Sequence, residues 1–235
     1  MSSKHRRLSL KERIKIETLL NENKNKGREI DLIAGYLLNS NKDIYKEFMF
    51  YFVIEIKKEI NKPWIVFTSE SSDFDKALGL PNSYLQRNFE KLNLANSFSK
   101  YNQPILDRIG RTAFEGFSNG KDKLYSSLCN STKAFFHAMN SNYIHKDKSS
   151  DKLLSYFEPM IILEGELLEA TTENNKIELN EKSYIQINFN YLSPQYNNIR
   201  QRNIIHIVKK EYLEEYIDKR VSQFKEIYKY VIRTE

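Results

Sequence analysis

The chain has few of the residues that staple or punctuate a fold. Its 235 residues include one cysteine, one tryptophan, five prolines and seven glycines. The single thiol, Cys129, excludes an internal disulfide framework, and none of the four histidines stands at zinc-ligand spacing from it, so a structural zinc site is not expected. Cysteine use this sparse points to a reducing, cytoplasmic setting. Long apolar runs are missing too. The longest lies within residues 48–56, far short of the roughly 20 residues of a membrane span. The N-terminal residues 1–7 are basic but lead into no apolar stretch, so a secretory signal is not expected. Self-similarity at a period of 20 to 50 residues is absent, which argues against a repeat array. No Gly/Ser/Pro-rich linker divides the chain.

Aromatic residues, by contrast, are plentiful, with 15 Tyr and 14 Phe, and hydrophobic residues make up 40% of the chain, enough to build a core. Lys and Arg number 37 against 31 Asp and Glu, a formal charge of +6. That surplus suits an anionic partner without specifying one.

The hydrophobic pattern divides the chain into elements. Ser9 and Glu12 form a capping-box signature ahead of Ile14, Ile16, Leu19 and Leu20, which predicts an N-terminal helix ended by NENKNKG. Strands are expected at 29–38 (EIDLIAGYLL), 48–57 (FMFYFVIEIK), 63–68 (PWIVFT), 160–168, 184–191 and 203–208. Residues 75–150 read as a helical insertion. Its clearest helix is 123–139, with Leu124, Leu128, Phe135 and Phe136 on one stripe. From Glu211 onward, Leu213, Ile217, Val221, Phe224, Ile227 and Val231 mark a long amphipathic C-terminal helix, suited either to cover a sheet or to pair with a second copy as a homodimer.

Three charges interrupt otherwise apolar strands: Asp31, Glu55 and Lys57. A buried charge is costly unless partners, a metal or water neutralise it. Glu55 and Lys57 stand two apart on a strand and share a face. Asp31 reaches that face if its strand is the neighbour. Two carboxylates and a lysine around one point suit a Mg²⁺ ion on oxygen ligands, with a water oriented beside it. The plain alternative is a same-face ion pair between Glu55 and Lys57 in an interaction protein, with Asp31 bonded to a turn.

The segments REIDLIA and VIEIKK, with Asp31, Glu55 and Lys57 in the three positions, resemble the signature of the PD-(D/E)XK, or restriction-endonuclease-like, nuclease superfamily. The extension IEIKKEINKPWIVFT, and less closely EPMIILEGELLEA and NIIHIVKKEYLEEY, is similar to an uncharacterised branch of that superfamily. The resemblance implies an α/β fold, a mixed sheet flanked by helices, occupying residues 28–235 behind a basic arm and helix at 1–27. It also implies Mg²⁺-dependent hydrolysis of DNA phosphodiesters, with Mn²⁺ as a substitute ion. Asp31, Glu55 and the Ile56 carbonyl would hold the metal, and Lys57 would position the water or stabilise the charge developing on the phosphorane. Glu17, on the N-terminal helix, is the candidate for an additional acid, and Lys58 for a phosphate contact. The basic runs containing Arg6, Arg7, Arg200 and Arg202 are candidates for DNA backbone contacts. One departure stands out: only about seven residues separate the N-terminal helix from Asp31, too few for the family's first strand. HRRLSLKERIKIETLLNE is also similar to the opening helix of insertion-sequence transposases. A non-catalytic member of the fold that binds nucleic acid or protein is the alternative function.

Overall fold

A computed structural model describes residues 15–17, 32–39, 47–72, 75, 83–85, 107–117, 122–140, 153–173, 176–191 and 202–233. Nine strands and two α-helices occupy these residues. The strands are β1 (Lys15–Glu17), β2 (Leu32–Asn39), β3 (Glu47–Glu70), β4 (Ser83–Leu85), β5 (Arg108–Glu115), β6 (Leu153–Glu173), β7 (Lys176–Glu181), β8 (Tyr184–Asn190) and β9 (Arg202–Lys209). The helices are α1 (Lys123–Asn140) and α2 (Leu213–Arg233), the latter entered through a 3-10 turn at Lys210–Tyr212.

The segments 48–57 and 63–68, expected as separate strands, belong to the single long strand β3. Its first part pairs antiparallel with β2 and parallel with β6, and its last part pairs antiparallel with β5. The irregularity that lets one strand serve both neighbourhoods falls between Glu59 and Trp64, which oppose Gly165 and Leu167. Pro63 lies inside it, where its missing N–H costs no ladder bond. A Cβ at Gly165 would sit 2.2 Å from the Glu59 carbonyl oxygen, so the two backbones meet there only because residue 165 has no side chain.

Strands β3, β5, β8, β9 and β6 close into a five-stranded barrel through the β3–β6 pairing. The barrel is mixed. β3, β6 and β9 run parallel, while β5 and β8 run the opposite way. Alternate residues of these strands gather into one buried cluster, including Trp64, Val66, Ile161, Leu163, Ile185, Ile187, Ile205 and Ile207, as the interior of a small barrel requires. Leu124 and Leu128 of α1 join that cluster, and the second half of α1 lays Phe135 and Phe136 against Ile33, Val53 and Phe157. On the opposite face, Phe50, Phe52, Ile54, Tyr156, Met160 and Val208 receive Tyr216 and Phe224 of α2. The C-terminal stripe therefore covers strands of its own chain.

This architecture corrects two expectations. The described residues are mostly strand around a closed barrel, not a restriction-endonuclease-like sheet flanked by helices, and the proposed helical insertion at 75–150 contains strands β4 and β5 beside α1. Closure decides the matter: β5 and β8 seal a ring that an open sheet would leave as edges. The expected N-terminal helix is also overturned over residues 15–17. Lys15, Ile16 and Glu17 form an antiparallel strand opposite Gly35, Ala34 and Ile33. Pairing with β2 outweighs the helical spacing of the isolated segment. A short strand therefore precedes Asp31, within the segment expected to be helical.

Candidate functional site

Along β3 the side chains alternate. Phe50, Phe52 and Ile54 pack towards α2, while Val53 packs towards α1. Glu55 and Lys57 follow the parity of Val53 and share its face, as a strand requires. Lys57 Nζ lies 2.7 Å from Glu55 Oε1, with the carboxylate side chain only 8% exposed and the lysine 32% exposed. The lysine neutralises the buried carboxylate.

The remaining sequence-derived residues are distributed unevenly. Asp31, Arg6, Arg7 and Arg200 lie outside the described residues. Glu17 occupies the last position of β1, opposite Ile33, and not a helix. Arg202 opens β9 opposite Asn190. Ile56 is exposed on the far face of β3 from Glu55. Lys58 is exposed and ion-paired at 3.1 Å with Glu164, which also accepts from Lys210 at 2.9 Å. These two ammonium groups hold the Glu164 carboxyl below its ordinary range. Trp64 is fully buried in the barrel and presents no ring to a ligand.

Other charged residues, not singled out from the sequence, extend the site. Glu59 accepts from Lys123 Nζ at 2.5 Å, and that contact raises the lysine's pKa. Glu115, buried at the end of β5, accepts from the backbone N–H of Lys123 at 3.0 Å and faces Lys62 Nζ at 3.4 Å. It thereby satisfies one of the unpaired donors in the first turn of α1, beside Asp122, which accepts from the N–H of Tyr125 at 3.0 Å. The alternation Glu55, Lys57, Glu59 was readable as a continuation of the strand pattern. Nothing local to RIGRTAFE marks Glu115 as its neighbour. No family model, curated protein or solved structure matches the chain.

The Glu55 carboxylate and the Ile56 carbonyl are oxygen donors, of the hard type that suits Mg²⁺ and not a thiophilic metal. Among the described residues no three His, Cys, Asp or Glu side chains converge as a metal cluster. Cys129, on α1, is half-buried, and its thiol pKa is raised chiefly by that burial, so it is no activated nucleophile. No described helix is long and apolar enough to cross a membrane.

A second ionic cluster lies between the barrel and α2. The Glu158 carboxylate receives Arg220 Nε at 3.0 Å and a further, closer bond from the same guanidinium, and Tyr216 donates to it at 3.1 Å. The Tyr216 hydroxyl also meets His206 Nδ1, with Gln186 Nε2 3.4 Å from the same nitrogen. All five residues are buried, so the cluster is closed to substrate. Burial drives the Glu158 pKa upward, yet Arg220, His206 and Tyr216 together hold it below its ordinary value.

Proposed function

We propose that the chain is a Mg²⁺-dependent phosphodiesterase acting on nucleic acid, with Glu55 and Lys57 at its centre. The observation that carries this reading is a carboxylate and an ammonium on one face of β3, Glu55 at 8% and Lys57 at 32% side-chain exposure, where the lysine is open to an approaching phosphate. The Asp31 and Glu55 carboxylates and the Ile56 carbonyl would be the oxygen donors for the ion. When bound, Mg²⁺ supplies charge that neutralises the phosphate and acidifies a water. Lys57 swings its ammonium from Glu55 to a phosphate oxygen, where charge grows as the phosphodiester is attacked. Glu55, freed of that pairing, orients the water through its carboxylate.

The test is cleavage of plasmid DNA, linear DNA and RNA with Mg²⁺, Mn²⁺ or EDTA. Glu55→Gln and Lys57→Ala should each lower Mg²⁺-dependent cleavage by about two orders of magnitude, with the far-UV circular dichroism unchanged. Equal cleavage by the wild type and both variants sinks the proposal.

A second reading is favoured by the closed Glu55–Lys57 pair at 2.7 Å, which neutralises the carboxylate without a metal. On that reading the chain binds nucleic acid or a protein and cuts nothing. Nucleic-acid affinity that falls steeply with salt, without cleavage in any metal, supports it.

A further inference from the structure

We propose that the surface formed by Lys57, Lys62, Lys123 and Phe117 binds single-stranded nucleic acid, stacking an unpaired base on Phe117 and setting phosphates against the lysines. It rests on the phosphodiesterase reading for any cleavage of the bound strand, and on its own observations for the binding itself.

The first observation is how the charges are layered. Glu55, Glu59 and Glu115 are 8%, 12% and 0% exposed at their side chains, and their partners Lys57, Lys123 and Lys62 are 32%, 59% and 34% exposed. In every pair the acid lies beneath and the ammonium lies outward. In each pair an approaching ligand meets the ammonium before the carboxylate whose charge it balances. The second observation is Phe117. It follows Gly116, whose N–H donates to the Pro63 carbonyl at 2.8 Å, so it stands beside Lys62 and Glu115. Its φ of 55° is in the left-handed region, and the residue is 83% exposed. Glycine or asparagine suits that backbone, and an exposed ring gains no packing, so neither local conformation nor the core accounts for a phenylalanine there. An exposed aromatic face among outward ammonium groups is the arrangement by which proteins hold single strands, since every base offers a π-face and every nucleotide a phosphate. Glu59, the partner of Lys123, lies four residues from Glu55 on the same strand, about 13 Å, so a strand of a few nucleotides reaches from Lys123 to the proposed cleavage site. Duplex bases are already stacked and have no free face for the ring.

The experiment is fluorescence anisotropy of labelled 12-nucleotide DNA and RNA, single-stranded and duplex, titrated with wild type, Phe117→Ala and Phe117→Trp in EDTA. Single strands should bind more tightly than duplexes, and Phe117→Ala should weaken single-strand binding about tenfold. Phe117→Trp should retain affinity, and its new indole should be quenched on binding, while the buried Trp64 stays silent. Several results overturn the proposal: no binding, equal affinity of wild type and Phe117→Ala, preference for duplex, or displacement of the oligonucleotide by polyglutamate as effective as by unlabelled strand. Adding Mg²⁺ separates the two readings. Phe117-dependent binding without cleavage removes only the phosphodiesterase, and cleavage indifferent to Phe117 removes only this surface.

Discussion

His206 is a neutral imidazole sealed between β9 and α2. It faces Glu158 from β6, Gln186 from β8, and Tyr216 and Arg220 from α2. Burial pushes its pKa down to about 4, against the pull of Glu158, because Arg220 already claims that carboxylate and repels a second cation. A histidine whose pKa is lower folded than unfolded takes up its proton more readily in the unfolded chain. Its contribution is complete above the unfolded value near 6.5 and is lost as pH falls from there to about 4, a loss of the order of 3 kcal/mol. Urea midpoints at pH 7 and pH 4.5 test this. The wild type should lose distinctly more stability across that interval than His206→Gln, and parallel losses would show that the histidine is not the group responsible. The sequence offered no hint of this cluster. NIIHIVKK reads as an apolar strand with a histidine in it, and only the fold brings Glu158 and Arg220, 62 residues apart, into one ion pair. Asp31, Glu55 and Lys57 could be singled out because a charge inside an apolar run is visible in the run itself. The residues at 62, 115 and 123 could not, because they come from three different elements that only the fold brings together.

At the scale of elements, agreement follows the strength of the local pattern. The stripes of α1 and α2 have the period of a helix over many turns, and both helices form where that period places them. Within α2 the buried face includes Tyr216 and Arg220 as well as Phe224, so the apolar stripe alone understated what the barrel contacts. Phe224 is the centre of that contact. Its ring stacks on Phe50 with centroids 3.4 Å apart and lies under the Arg220 guanidinium at 4.6 Å. Phe224→Ala should cost about 3–5 kcal/mol in chemical denaturation and should speed amide exchange in α2 before the barrel strands. Uniform exchange across the molecule would mean that α2 unfolds only with the whole. Short strands escaped the sequence reading for physical reasons. In β7 (KIELNE) every residue is exposed, so no core selected its side chains. In β5 the alternation is broken where Thr112 pairs with Phe67 and Gly110 with Thr68, leaving Arg111 as the extra residue of a bulge.

For the whole molecule, the deciding contact is the seam between β5 and β8. Its register pair is Gly110 with Ile187, and a Cβ on Gly110 would stand 2.6 Å from Val66 Cγ1 and 3.1 Å from Ile187 Cβ. The two strands close the barrel because residue 110 contributes no volume to an interior already filled by its neighbours. Gly110→Ala should destabilise by about 1–3 kcal/mol and loosen exchange in β5 and β8 more than in β3 and β6. Unchanged stability would mean that the seam can spread without penalty.

The residues themselves determined which segments are buried, the period each follows, and which few charges had to find partners inside, since these are properties of neighbours in the chain. They also determined that Glu55 and Lys57 share a face, because the strand period is two. Only the tertiary structure decided that β3 is one strand serving two neighbourhoods, that residues 15–17 join an edge, that five strands close into a barrel and that α2 covers this chain's own strands. Each of those outcomes depends on pairings between residues far apart in sequence, whose free energy comes from contacts that no local window contains.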